Sequence, residues 1–124
     1  RQREEARRRD EEVRRQQAVA RLLEDARIAL ARGHLRDAQQ RCHEALQYAR
    51  VGPAYEMLGD IASRQGRADE AIRHYTVAAQ LQKNNGLVMA KLNRLIERQR
   101  QMGDDFDLPK GVPLPQPSSR LGYK

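Results

Sequence analysis

Cys42, His34, His43 and His74 are the residues with the chemistry to bind a metal or to serve as nucleophile and base. Their spacing does not organise them for either task. Cys42 and His43 are adjacent, and neighbouring residues on a helix point about 100° apart. No C-x-x-C, H-x-x-x-H or H-E-x-x-H spacing occurs, so no metal and no cofactor are expected. Cys42 falls at a repeated small or aromatic position described below, which predicts a buried thiol that packs as a small hydrophobe. Asp104, Asp105 and Asp107 cluster without the register of a calcium loop. No phosphate-cradling Gly-rich loop, no G-x-S-x-G and no motif-placed Ser/His/Asp set is present. The reading is a non-enzymatic chain with no catalytic residue.

The remaining chemistry is ionic. The chain has 124 residues and a net charge of +7, with 24 basic and 17 acidic side chains. The excess is spread: residues 1–17 and 18–83 carry +2 each, 84–102 carry +3, and 103–124 are neutral. Lys91, Arg94 and Arg98 form one basic stripe at i, i+3, i+7, suited to phosphate or to an acidic protein, and otherwise a solvated face. A basic balance is the first footprint of a nucleic-acid binder. The chain has no Trp and one Phe, so no aromatic platform accompanies the charge, and the reading argues against nucleic acid. No apolar run approaches the roughly 18 residues of a membrane span. A lone Cys excludes an internal disulfide.

Positioning these side chains requires helices. Residues 1–17, RQREEARRRDEEVRRQQ, hold only Ala6 and Val13 as apolar residues. Glu4–Arg8, Glu5–Arg9, Asp10–Arg14 and Glu11–Arg15 follow the acid-before-base i,i+4 order that supports an exposed helix. This predicts a charged, solvated helix or linker that extends the next element. Residues 18–102 carry helical periodicity punctuated by Gly33, Gly52, Gly66 and Asn84-Asn85-Gly86. The expected helices span about residues 1–32, 35–49, 53–65, 68–82 and 86–102. Residues 103–124 contain Pro109, Pro113, Pro115 and Pro117 and read as an extended, partly polyproline tail. The chain begins at Arg1, with its Met residues at 57, 89 and 102, and is read as part of a longer protein.

An internal repeat organises the middle. Gly33 and Gly66, Ala38 and Ala71, Cys42 and Tyr75, Ala45 and Ala78, Ala26 and Gly59, and Leu22 and Tyr55 all share an offset of 33. Closely packed antiparallel helices need small residues where their backbones cross. Ala26 against Ala38 and Gly59 against Ala71 are the expected contacts, with Leu22, Cys42, Tyr55, Leu58, Ile72 and Tyr75 filling between layers. Aromatic-poor composition argues for such a thin core shared by stacked units.

These residues resemble the tetratricopeptide repeat family. Tyr55-x2-Leu58-Gly59-x2-Ala62, Gly66, Ala71-x3-Tyr75 and Ala78 look like its first-helix, turn and second-helix pattern. The first unit, with Leu22, Ala26, Gly33, Ala38, Cys42 and Ala45, is a looser match, and Asp25 stands where Leu is usual. Arg50 and Lys83 replace the usual late Pro, and the offset is one short of the family's 34. The resemblance implies an all-α, right-handed solenoid of tandem helix-turn-helix units. Its first repeat is 19–51 and its second 52–84, with a capping helix at 86–102 completing an 18–102 domain. Leu87, Ala90 and Leu95, with Met89, Leu92 and Ile96, are read as the cap's apolar face, and Lys91, Arg94, Arg98 and Arg100 as facing elsewhere.

By position, the resemblance implies a concave groove lined by Ala20, Leu23, Arg27, Leu30 and Ala31 from the first unit. Pro53, Glu56, Met57, Asp60, Ser63 and Arg64 line it from the second. Its implied role is protein recognition: a cytoplasmic, non-catalytic scaffold that binds a peptide or helix, or whose groove is filled by the chain's own terminal segments. The second unit also looks like repeats that follow J-domains in some bacterial co-chaperones, though no His-Pro-Asp triplet occurs here. The groove positions do not match the basic and Asn set that clamps chaperone tails. The chain is expected to be a monomer or weak homodimer; a self-associating assembly module, and a basic nucleic-acid or membrane-surface binder, are the competing readings.

Overall fold

The computed structural model describes residues 1–107, with side chains through Met102. The described residues form five α-helices and no strand. They are α1 (Gln2–Ala31), α2 (Leu35–Tyr48), α3 (Gly52–Arg64), α4 (Ala68–Leu81) and α5 (Gly86–Asp107). α1 packs on α2, α3 on α4, α2 on α3, and α5 on α4. The chain therefore runs as two helical hairpins followed by a fifth helix against the second.

The two hairpin turns share one geometry. Gly33 and Gly66 have φ of 79° and 77°, the left-handed region in which a Cβ is strained. At the first turn the Gly33 N–H donates to the Leu30 carbonyl (3.0 Å) and the His34 N–H to the Ala29 carbonyl (2.8 Å). At the second, Gly66 donates to Ser63 (3.1 Å) and Arg67 to Ala62 (2.9 Å). This is the paired-bond closure that satisfies the last carbonyls of a helix and reverses the chain. α5 starts differently: Asn85 Oδ1 accepts from the Leu87 and Val88 N–H groups (3.1 and 3.3 Å), a side-chain cap for two otherwise orphaned donors.

The core is thin and runs in two clusters that meet on α3. Ala26, Leu30, Ala38, Cys42, Leu58 and Ile61 are the heart of the first. Ala62, Ala71, Tyr75, Leu92 and Leu95 form the second. Ala26, Ala38, Ala45, Ala71 and Ala78 are fully buried, as closely approaching helices require. The two hairpins divide volume differently at the equivalent positions. In the first, Ala26 accompanies the small Cys42; in the second, Gly59 leaves room for Tyr75. The close partner of Gly59 is thus the Tyr75 ring rather than Ala71, because a Cβ on Gly59 would lie 2.5 Å from that ring.

Three expectations are corrected. The buried face of α5 is Val88, Leu92 and Leu95, with Ile96 half-buried; Leu87 is 62% exposed, Met89 40%, and Ala90 is also exposed. α5 does not stop at 102 but continues through Asp107, so the stretch expected to be extended from 103 begins as helix. The Pro109–Pro117 run lies outside the described residues. In α1, residues 1–17 are exposed throughout and burial begins at Val19. The ion pairs there are Glu4–Arg7 (3.3 Å), Glu4–Arg8 (3.8 Å) and Glu12–Arg15 (3.0 Å), one of the four anticipated pairs plus two at i,i+3.

Candidate functional site: a charged cleft between α3 and α5

α3 opens with Gly52 and Pro53, a residue whose fixed φ suits the first helical turn. From there Glu56, Asp60 and Arg64 recur every four residues and share one face. α5 crosses the second hairpin with Val88, Leu92 and Leu95 turned inward. Lys91, Arg94 and Arg98 flank that seam, so burying it brings the basic stripe toward α3.

Lys91 meets the acidic face directly. Its Nζ lies 2.9 Å from Glu56 Oε2 and 3.1 and 3.3 Å from the two oxygens of Asp60. The Tyr75 hydroxyl, from α4, donates to the same Asp60 carboxylate, and Lys91 Nζ sits 6.0 Å from the Tyr75 ring centroid. Burial works against the Lys91 cation, but its hydrogen bonds to Glu56 and Asp60 outweigh that and raise its pKa. Burial, then the bond to Asp60, keeps the Tyr75 phenol protonated far above its ordinary range. The cluster is a hydrogen-bonded network joining α3, α4 and α5, in which one ammonium is shared by two half-buried carboxylates.

Arg64 ties the same face to the first hairpin, its Nη1 donating to the Leu30 carbonyl at 2.9 Å. Beyond these bonds an open cleft of about 370 Å³ remains, lined by Asp60, Ser63, Arg64, Tyr75, Lys91, Arg94, Leu95 and Arg98. Ser63, Arg64, Arg94 and Arg98 are exposed along it.

Two groups of residues expected apart therefore meet. Asp60, Ser63 and Arg64 of the anticipated groove share one cleft with Lys91, Arg94 and Arg98, and Glu56 joins through Lys91. The stripe lies off the apolar seam of α5, on the flank that borders the cleft. Leu30 is also corrected: its side chain is core, and only its carbonyl reaches the site, through Arg64. Leu23 is half-buried against the first core cluster. Arg27 is exposed and pairs with Glu24 on its own helix, outside the cleft. Tyr75 is the site residue that sequence reasoning missed, having been assigned to packing alone. The signal was the Gly59–Tyr75 pairing at a position where the first unit has Ala26 and Cys42.

The candidates for metal or nucleophilic chemistry lie elsewhere. Cys42 is fully buried, and burial, with the Asp60 charge adding, pushes its thiol up to about 12. His74 is half-buried with its ring 6.4 Å from Tyr55, and burial lowers its pKa. Among the described residues no cluster of three metal-ligating side chains occurs, and no helix is long and apolar enough to cross a membrane. Comparison with known proteins yields no relative: no protein-family model, no curated protein and no solved structure matches this chain.

Proposed function

We propose that this chain is a non-catalytic protein-recognition module built as a short right-handed solenoid of two tetratricopeptide-like hairpins and a capping helix. It holds a peptide or a helix of its partner in the α3–α5 cleft. The observation that carries the reading is the convergence of Asp60, Ser63 and Arg64 with Arg94 and Arg98 around open space, beside a network in which Lys91 pairs with Glu56 and Asp60. The 33-residue offset, shared by the sequence and by the two turns, supports the repeat. So does packing in which each hairpin buries its face against the next helix.

The test uses the exposed Ser63 as a plug. A pool of fluorescein-labelled 12-residue peptides of mixed composition is screened by anisotropy against the protein and against Ser63→Trp. Binders are expected with Kd in the micromolar range, losing at least tenfold in affinity with the plug while the urea midpoint stays unchanged. No binder at 100 µM protein, or binding indifferent to Ser63→Trp, would sink the proposal.

A further inference from the structure

Arg94 and Arg98 stand one turn apart on α5 and face the cleft opposite Arg64 of α3. Among the described residues none of the three forms an ion pair with a carboxylate; other surface arginines, such as Arg9, Arg21 and Arg36, also form none, but these three converge on one cleft. Asp60, the acid that lines the cleft, and its neighbour Glu56 are occupied by Lys91 and by the Tyr75 hydroxyl. The network thus leaves Arg64, Arg94 and Arg98 without an ion-pair partner around the cleft, and the cleft keeps an excess of positive charge. Leu30 takes a single N–H of Arg64, and each guanidinium offers five.

We propose that this cleft recognises a phosphorylated serine or threonine in the partner protein, with Arg94 and Arg98 as the anion-binding residues and Arg64 as the third, backbone-anchored donor. The inference rests on the protein-recognition reading above and names its ligand chemistry. Counting Asp60, Arg64, Lys91, Arg94 and Arg98 of the lining together with Glu56, which pairs with Lys91, the site carries a net charge of +2. A carboxylate would neutralise one of these charges and satisfy one planar fork. A phosphomonoester carries close to two charges and three acceptor oxygens, and so engages guanidiniums from both helices at once. Arg is the suitable residue because its rigid fork matches phosphate geometry. Ser63 on the rim supplies a neutral donor for a further oxygen.

The experiment repeats the peptide screen in three forms that differ only at a central residue: serine, phosphoserine or glutamate. Arg94→Gln/Arg98→Gln is measured alongside; both residues are exposed, and an unchanged urea midpoint verifies the fold. The expected result is at least tenfold tighter binding of phosphoserine peptides than of either other form, abolished in the double variant and weakened by added sulfate. In parallel, N-acetyl-phosphoserine methylamide should shift the Arg64, Arg94 and Arg98 Nε–Hε resonances, and N-acetyl-serine methylamide should not. Equal binding of serine and phosphoserine peptides overturns the phosphate inference while leaving protein recognition standing. A preference for glutamate equal to that for phosphoserine assigns the cleft to acidic peptides and also overturns it. Tighter binding of a single-stranded RNA 12-mer, lost in the same double variant, assigns the cleft to nucleic acid and refutes both readings.

Discussion

Gly59→Ala is the sharpest perturbation of the second hairpin. A Cβ at residue 59 would lie 2.5 Å from Tyr75 Cε1, 2.6 Å from Cδ1 and 2.9 Å from Cζ. All three are ring atoms of a side chain only 4% exposed, whose hydroxyl is held by Asp60. The ring cannot yield without breaking that bond, so the helices must shift. Overpacking of this kind costs about 1–3 kcal/mol, and alanine returns about 1 kcal/mol of helix propensity relative to glycine. The single variant should therefore lose up to about 2 kcal/mol. Tyr75→Cys, which copies Cys42 of the first hairpin, should cost about 3–5 kcal/mol as a large-to-small truncation. In that background the clash is gone and only the propensity gain remains. Gly59→Ala should then stabilise by about 1 kcal/mol, giving the pair a favourable coupling of about 1–3 kcal/mol, the overpacking relieved. Urea unfolding followed by circular dichroism, with equal m-values across the four proteins, measures the cycle. If the two substitutions add within about 0.5 kcal/mol, Tyr75 does not occupy the space that Gly59 leaves, and the account of the two hairpins fails.

Lys91→Met leaves Glu56 and Asp60 without their cation and should cost about 1–3 kcal/mol in the same urea assay. Adding Glu56→Gln and Asp60→Asn should recover part of that loss; a Lys91→Met protein as stable as the parent would contradict the network. The pH dependence has a definite sign. Cys42, Tyr75 and Lys91 all have raised pKa values in the fold, so their contribution is complete below the ordinary thiol value of 9.0. It is lost as pH rises from there through about 12, where the buried thiol ionises. Urea midpoints flat from pH 7 to 8.5 and falling above pH 9 are expected, and midpoints that rise above pH 9 would contradict the assignment. Deleting residues 1–17 removes no buried side chain. It should lower the helical signal while leaving unfolding free energy within about 0.5 kcal/mol of the parent; a larger loss would place those residues in the folding unit.

The sequence shows the hairpins plainly because their constraints are local. Gly33 and Gly66 mark turns that need positive φ, and the alanines at 26, 38, 45, 71 and 78 mark where helices touch. The cleft is harder to read, since Lys91 meets Glu56 and Asp60 across 35 and 31 residues. Which side chains of α5 meet α3 depends on how α5 is rotated about its axis. That rotation is ambiguous in GLVMAKLNRLIERQRQM, where residues 87, 88, 89 and 90 are all apolar. Choosing Leu87 and Ala90 as the seam carries Lys91, Arg94 and Arg98 into the core, since they follow Leu87 at i+4, i+7 and i+11 on the same face. Val88 instead continues through Leu92, Leu95 and Ile96 at i+4, i+7 and i+8, the spacing of a core-facing helix. Turning the helix by the one residue that separates Leu87 from Val88, about 100°, puts Lys91 on the flank of the seam, where Glu56 and Asp60 wait.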